Sequence, residues 1–134
     1  MINKVPKELQ NDANNRVLKY IKDLSAHDGV ADELINSVKP LGDVQIFCPD
    51  PESFRYVAAS TNNIIFGVAL GQDTVDFKLN NEFKDKALLT GCKLLPKLGS
   101  NWVWVNPYSG DWPQVDFLFW ARKSYVSTRE AVTT

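Results

Sequence analysis

The amino-acid sequence predicts an α+β domain with N-terminal helices, an antiparallel sheet of about five strands, a helix between the last strands and a C-terminal helix packed on the sheet. Three observations predict this class. Apolar residues recur at helical spacing in the first 40 residues, and from there to residue 80 they mostly follow strand patterns. A helical pattern, a short strand and a second helical pattern complete the chain.

The length and composition predict a single globular domain over residues 1–134. The chain has 134 residues, of which 44% are hydrophobic and 23% charged, as is typical of a protein with a packed core. Within this domain we expect residues 1–40 to form a helical part and residues 41–130 to form the sheet with two helices. We expect residues 131–134 to be a frayed tail.

The N-terminal part is predicted to contain two or three helices. Pro6 suits the first turn of a helix, and apolar residues follow it at helical spacing. The asparagine-rich residues 11–15 favour a break in this helix, and residues 27–29 favour its end. A second amphipathic helix over residues 30–38 is expected to stop at Lys39-Pro40.

Four strands are expected in the middle of the chain. Residues 44–48 alternate as a half-buried strand does, and residues 54–60 contain strand-forming side chains. Residues 64–70 are almost continuously apolar, which predicts burial on both faces of the sheet. In the fourth strand, residues 75–79, Asp76 takes an alternate position, so we expect this strand to have one face in water.

A helix, a strand and a last helix are expected in the C-terminal part. Asn80 is a suitable N-cap for the first of these helices. Residues 94–98 are predicted to be irregular, and residues 102–105 to form the fifth strand. Residues 111–114 resemble a capping box, which predicts a helix from there to about residue 128.

A resemblance to a known family rests on three segments: Val75-Asp76-Phe77-Lys78-Leu79, Trp102-Val103-Trp104-Val105 and Phe119-Trp120-Ala121-Arg122-Lys123-Ser124-Tyr125. In order and pattern they resemble the strand, the Trp-Val strand and the terminal helix of the YjbR/TfoX-N-type small α+β domains. The resemblance covers residues 34–128, and the longer helical N-terminal part departs from the family's pattern. It implies the fold and a role in nucleic-acid or protein interaction, and it assigns no catalytic or ligand-binding residue.

The charge balance and the cysteine count argue against several classes of function. With 15 basic and 16 acidic residues, the chain lacks the basic excess typical of nucleic-acid binding. Residues 1–8 show no secretory signal, and no apolar run approaches the ~20 residues of a membrane span. Cys48 and Cys92 fit two reduced thiols better than a disulfide, and with one histidine they make no structural zinc site. We therefore expect a cytoplasmic protein without membrane partner, metal or cofactor.

Candidate catalytic side chains are few, and each has a simpler structural interpretation. His27 fits the end of a helix, and Asp73 fits a hairpin turn. Asp76 fits the solvated face of its strand, while Asp111 and Asp116 fit the start of the last helix. We expect no catalysis. If the protein is an enzyme, one of these groups must have a strongly shifted pKa within a cleft.

The strongest candidate for a binding surface is the loop that contains Tyr108, Asp111 and Trp112, because aromatic side chains on loops are typical interface anchors. Trp102 and Trp104 share one face of the preceding strand, and we include them in the candidate site. We expect this face to lie at the core or its rim. Four lysines flank the strand and leave binding of single-stranded nucleic acid as a weaker alternative: Lys84, Lys86, Lys93 and Lys97.

The sequence as a whole favours a non-catalytic binding or regulatory module, of the immunity type or with another protein-interaction role, in a bacterial cytoplasm. The expected partner is another protein. The alternative is a domain that binds a small ligand in an aromatic pocket beneath the tryptophans. A nucleic-acid binder and an enzyme are the weaker alternatives. The sequence does not determine the partner or the oligomeric state.

Overall fold

The computed structural model of the protein describes residues 5–22, 26, 28–48, 56–71, 74–105 and 117–133. Within this part of the chain, six antiparallel strands form one sheet in the order β1-β2-β3-β4-β6-β5. The strands are β1 (Gln45–Phe47), β2 (Val57–Thr61), β3 (Ile64–Leu70), β4 (Thr74–Lys78), β5 (Lys93–Leu94) and β6 (Trp102–Val105). The α+β class predicted from the sequence is confirmed, with one more strand than expected.

The additional strand is β5, in a segment predicted to be partly irregular. Lys93 pairs with Trp104, and Leu94 pairs with Val103. Both residues of β5 are exposed, and two residues are too few to show an alternating pattern. The sequence therefore contains no periodic signal that distinguishes this edge strand from a loop.

The helices follow the predicted order with shifted ends. They are a 3₁₀ turn (Lys7–Leu9), α1 (Asn15–Ile21), α2 (Asp28–Val38), α3 (Asn81–Leu89) and α4 (Phe117–Thr133). The predicted break at residues 11–15 and the end of α2 before Lys39 are confirmed. The prediction that residues 27–29 end the first helix is wrong for Asp28 and Gly29, which begin α2. Residues 131–133, predicted to be a frayed tail, continue α4.

One face of the sheet packs on α2 and α4, as the sequence predicts for the last helix. Leu34 of α2 and Ala121 of α4 are fully buried with Phe66 and Phe77 of the sheet. Gly67 permits the close approach, because a Cβ atom there would lie 3.1 Å from a methyl group of Leu34. This cluster forms the larger part of the described core.

The opposite face of the sheet is covered as well, although the sequence predicts this only for β3. Leu9 of the 3₁₀ turn and Val17 and Ile21 of α1 are buried against Val68 and other side chains of this face. The burial of β3 on both faces, predicted from its apolar run, is confirmed. The sheet therefore lies between two layers, and the second layer covers the face on which Asp76 lies.

Asn14 attaches the second layer to the sheet. Its side chain is fully buried, and its Nδ2 donates hydrogen bonds to the carbonyl oxygens of Leu9 and Asn63, both at 2.9 Å. Its Oδ1 accepts a hydrogen bond from the backbone N–H of Ile65, also at 2.9 Å. These bonds connect the N-terminal segment to the tight turn between β2 and β3.

Asn80 begins α3 as the sequence predicts, and its replacement is expected to cost about 1 kcal/mol of stability. Its side chain accepts a hydrogen bond of 2.9 Å from the backbone N–H of Phe83, and Asn80→Ala leaves that donor without its partner. Urea unfolding should show the loss for Asn80→Ala and very little loss for Asn80→Ser, which keeps an acceptor oxygen. Equal losses for both variants would assign the effect to something other than capping.

Candidate functional site

Asp76 is a fully buried acidic residue at the centre of β4. It pairs with Val68 of β3 on one side and with Trp104 of β6 on the other, and its exposed fraction is 0%. Neither carboxyl oxygen has a hydrogen-bond partner among the described residues. Buried polar groups are almost always paired in folded proteins, so this carboxyl requires a physical explanation.

Burial raises the pKa of Asp76 well above its ordinary value, because the interior disfavours the charged form of the carboxyl. The expectation that Asp76 lies on a solvated face is wrong. The alternation predicted for β4 is correct, since Asp76 faces away from Val75 and Phe77, which lie in the cluster under α2 and α4. The error lies in the environment of that face, because α1 covers it from a distant part of the sequence.

A cavity of about 510 Å³ lies between α1, the sheet and the segment after β5. Its walls combine aromatic and aliphatic side chains with two polar ones, and the described residues that line it include Tyr20, Leu70, Thr74, Asp76, Leu95 and Trp104. Cavities of this size and mostly apolar character, with a few placed polar groups, are typical small-molecule sites.

Of the two polar side chains Thr74 and Asp76 in the described lining, only Asp76 has no hydrogen-bond partner among the described residues. The Thr74 hydroxyl donates to the carbonyl oxygen of Leu70 at 2.8 Å, so its proton is already committed. Gly71, with a φ of 64°, takes a left-handed conformation that favours glycine, and a Cβ atom there would meet no atom within 4 Å. Because Gly71 has no side chain, the cavity is wider at this position than it would be with any other residue.

Two lysines lie over the aromatic rings that line the cavity. Lys93 Nζ lies 5.5 Å from the ring centroid of Trp104, and Lys97 Nζ lies 5.8 Å from that of Tyr20. Both lysines are exposed, and contacts of this kind contribute about 0.5–1 kcal/mol each at exposed positions. These contacts stabilise the observed positions of the Trp104 and Tyr20 rings, and the two lysines place positive charge near both aromatic walls of the cavity.

The segment after β5 is tied to α1, which gives the cavity a defined edge. The Arg16 guanidinium donates hydrogen bonds to the carbonyl oxygens of Pro96 at 2.7 Å and Lys97 at 3.4 Å. Leu95 donates its backbone N–H to the carbonyl oxygen of Trp102 at 2.9 Å. Leu95 is therefore held both to the sheet and, through its neighbours, to the helix that carries Tyr20.

Of the five residues proposed as a binding site from the sequence, the structure describes Trp102 and Trp104. Tyr108, Asp111 and Trp112 lie outside the described residues. Trp102 is 2% exposed and packs in the core beneath α1, whereas the half-buried Trp104 lines the cavity. Of the two tryptophans predicted to share a face, Trp102 therefore lies in the core and Trp104 lies at the candidate site.

Some of the other residues singled out from the sequence are described by the structure, and others are not. His27, Asp73 and Asp116 lie outside the described residues, whereas each lysine proposed for nucleic-acid contact has an intramolecular contact. Lys93 and Lys97 contact aromatic rings. The Lys86 ammonium lies 3.3 Å from the Glu82 carboxylate, and the Lys84 ammonium donates to the carbonyl oxygen of Ser100 at 3.5 Å. Nucleic-acid binding stays a prediction.

The sequence analysis places Asp76 on a solvated strand face, and it does not propose Tyr20 or Leu95 as site residues. One signal for Asp76 is present in the sequence: a carboxylate in the middle of a strand whose neighbouring positions are apolar. Tyr20 and Leu95 carry no such signal, because they reach the cavity only through the packing of α1 and the pairing of β5.

Several other features concern metal, redox and membrane chemistry. Cys48 and Cys92 are both buried, and neither forms a disulfide bond. No group of three or more His, Cys, Asp or Glu side chains in the described part of the chain is placed to hold a metal ion. No helix among the described residues has the length and apolar character needed to cross a membrane.

Comparisons with known proteins identify no relative: no family model, curated protein or solved structure matches this chain. The resemblance to the YjbR/TfoX-N-type domains therefore stays a prediction. A function for this protein has to be inferred from the geometry of Asp76 and the cavity.

Proposed function

We propose that the protein binds a small molecule in the cavity between α1 and the sheet, with Asp76 as the polar anchor. The observation that supports this proposal is the fully buried carboxyl of Asp76, which has no partner among the described residues, in the wall of a largely apolar cavity. An unpaired buried polar group costs about 1–3 kcal/mol of stability, and groups with this cost concentrate at functional sites.

This proposal reverses the order of the hypotheses drawn from the sequence. The sequence favours a protein partner because of the loop containing Tyr108 and Trp112, which lies outside the described residues. Its alternative is a small ligand in an aromatic pocket, and the two aromatic walls of the cavity, Tyr20 and Trp104, support that alternative. The protein-binding hypothesis remains a competing proposal that the same experiment tests.

The experiment is native mass spectrometry of the tagged protein recovered gently from the cells that encode it. We expect the wild-type chain to carry the mass of a small molecule. Leu95→Trp should remove this mass, because the larger side chain occupies volume within the cavity. Leu94→Trp is the matched control, because the Leu94 side chain is 47% exposed and does not line the cavity.

Two results would contradict the proposal. The first is a stoichiometric protein partner without any small-molecule mass, which would return support to the protein-binding hypothesis. The second is a small-molecule mass that Leu95→Trp retains while circular dichroism shows that the variant is folded. In that case the ligand binds elsewhere on the chain.

A further inference from the structure

We propose that the ligand of this cavity carries a basic nitrogen, as an amine or amidine, on a mainly apolar body. This inference rests on the proposed binding function and names the chemical class that Asp76 recognises. The walls provided by Leu70 and Leu95 suit an apolar body, and Tyr20 and Trp104 offer ring surfaces to a flat group.

Asp76 can accept hydrogen bonds at both carboxyl oxygens. An ionised carboxylate is an acceptor only, and both of its oxygens are without a partner among the residues that the structure describes. A cationic nitrogen with two N–H groups can donate to both oxygens at once when the side chains that bury the carboxyl in the ligand-free protein move aside. Charge-assisted, bidentate hydrogen bonds of this type are roughly twice as strong as neutral ones.

A basic ligand suits the Asp76 carboxyl better than a neutral or an acidic ligand does. A cation compensates the charge of the Asp76 carboxylate, and the paired charges are then buried with their hydrogen bonds made. A carboxylate ligand places two acids side by side, and one of them must remain protonated. A neutral amide can pair with the protonated acid but gains no charge compensation. The buried carboxyl therefore favours the basic ligand.

Other charged groups lie near Asp76 and the cavity. Lys78 lies two residues along the same strand, Lys93 contacts Trp104, and Lys97 contacts Tyr20, the other titratable group in the described lining. None of these described lysines donates a hydrogen bond to the Asp76 carboxyl. Lys93 and Lys97 are exposed, so water and salt weaken their repulsion of a cation, whereas the buried carboxyl is screened much less.

A dependence on pH follows from the burial of Asp76. Burial raises the pKa of this carboxyl, so the ligand-free protein holds a proton there over a range above the ordinary carboxyl pKa. A cationic ligand must displace that proton. Its apparent affinity should therefore rise with pH through this range, whereas that of a neutral ligand bound to the protonated acid should fall.

Three matched probes test the inference: benzamidine, benzamide and benzoate. They share one ring and similar size but are cationic, neutral and anionic. Amide NMR titrations of the wild-type protein should show benzamidine binding at least about tenfold more tightly than either other probe, with shifts clustered around the cavity. In Asp76→Asn, which preserves the side-chain shape, the preference for benzamidine should be lost.

The possible failures of the two proposals are distinguishable. Tighter binding of benzamide or benzoate at the cavity would overturn the basic ligand class and leave small-molecule binding intact. Benzamidine binding that Asp76→Asn leaves unchanged would also overturn it, because Asp76 would not be the recognition group. The absence of cavity shifts with all three probes would contradict both proposals.

Discussion

Replacing Asp76 with leucine is expected to stabilise the protein by about 1–3 kcal/mol at neutral pH. The carboxyl is fully buried without a partner among the described residues, and leucine has a similar shape without the polar oxygens. Removing an unsatisfied buried group recovers its desolvation cost. If the variant is instead markedly less stable than the wild type in urea unfolding, Asp76 has a stabilising partner.

The raised pKa of Asp76 is also expected to make the stability of the protein depend on pH. Because the pKa of Asp76 is raised on folding, the folded state binds its proton more tightly than the unfolded state does. The stabilising effect of this proton is fully present below the unfolded pKa of about 3.9 and is lost as pH rises towards the folded pKa. The slope for one such group is at most about 1.4 kcal/mol per pH unit.

Asp76→Asn isolates this contribution, because all other titrating groups are shared with the wild type. The free energy of unfolding of the wild type should fall relative to that of Asp76→Asn as pH rises above about 4. Urea unfolding of both proteins at several pH values measures the difference. Parallel profiles for the two proteins would show that Asp76 has the same pKa in the folded and unfolded states.

The second large effect is expected at Asn14. Asn14→Ala should destabilise the protein by about 2–4 kcal/mol, because it removes three hydrogen bonds made in a buried setting. It leaves the backbone N–H of Ile65 without that acceptor and loosens the layer that covers Asp76. The loss should therefore appear in urea unfolding and also in faster amide hydrogen exchange at Ile65.

Asn15→Ala is the control for Asn14→Ala, because it changes the same residue type at the next position. The Asn15 side chain is exposed and makes a 3.4 Å contact with Asp12. We expect its loss to change stability by about 0.5 kcal/mol or less. Similar losses for the two variants would indicate that the hydrogen bonds of Asn14 do not hold the second layer in place.

The local signals in the sequence predict most elements of the fold. Asn80 predicts the start of α3 because N-capping depends only on residues within one helical turn. Asparagine is likewise a local signal for a tight turn, and Asn62 and Asn63 take the positive φ angles of 51° and 63° that this residue type tolerates. Such signals are reliable because the residues that decide the conformation are neighbours in the chain.

The sequence predicts the candidate site poorly because the site depends on contacts between distant residues. Asn14 is expected only as part of a helix break, and its bonds to Asn63 and Ile65 have no local signature. Alternation correctly predicts that Asp76 lies on the opposite face from Val75. It does not predict the burial of Asp76, because α1 covers that face of the sheet through packing that sequence periodicity does not encode.

The most direct measurement is an NMR titration of the Asp76 carboxyl carbon, performed on the free protein and again with benzamidine, benzamide or benzoate. We expect a midpoint well above the ordinary value of about 3.9 in the free protein, because Asp76 is fully buried. We also expect benzamidine to lower this midpoint, because the cation stabilises the carboxylate. A midpoint near the ordinary value, or one that none of the three compounds moves, would contradict the assignment of Asp76 as the anchor of a ligand-binding cavity.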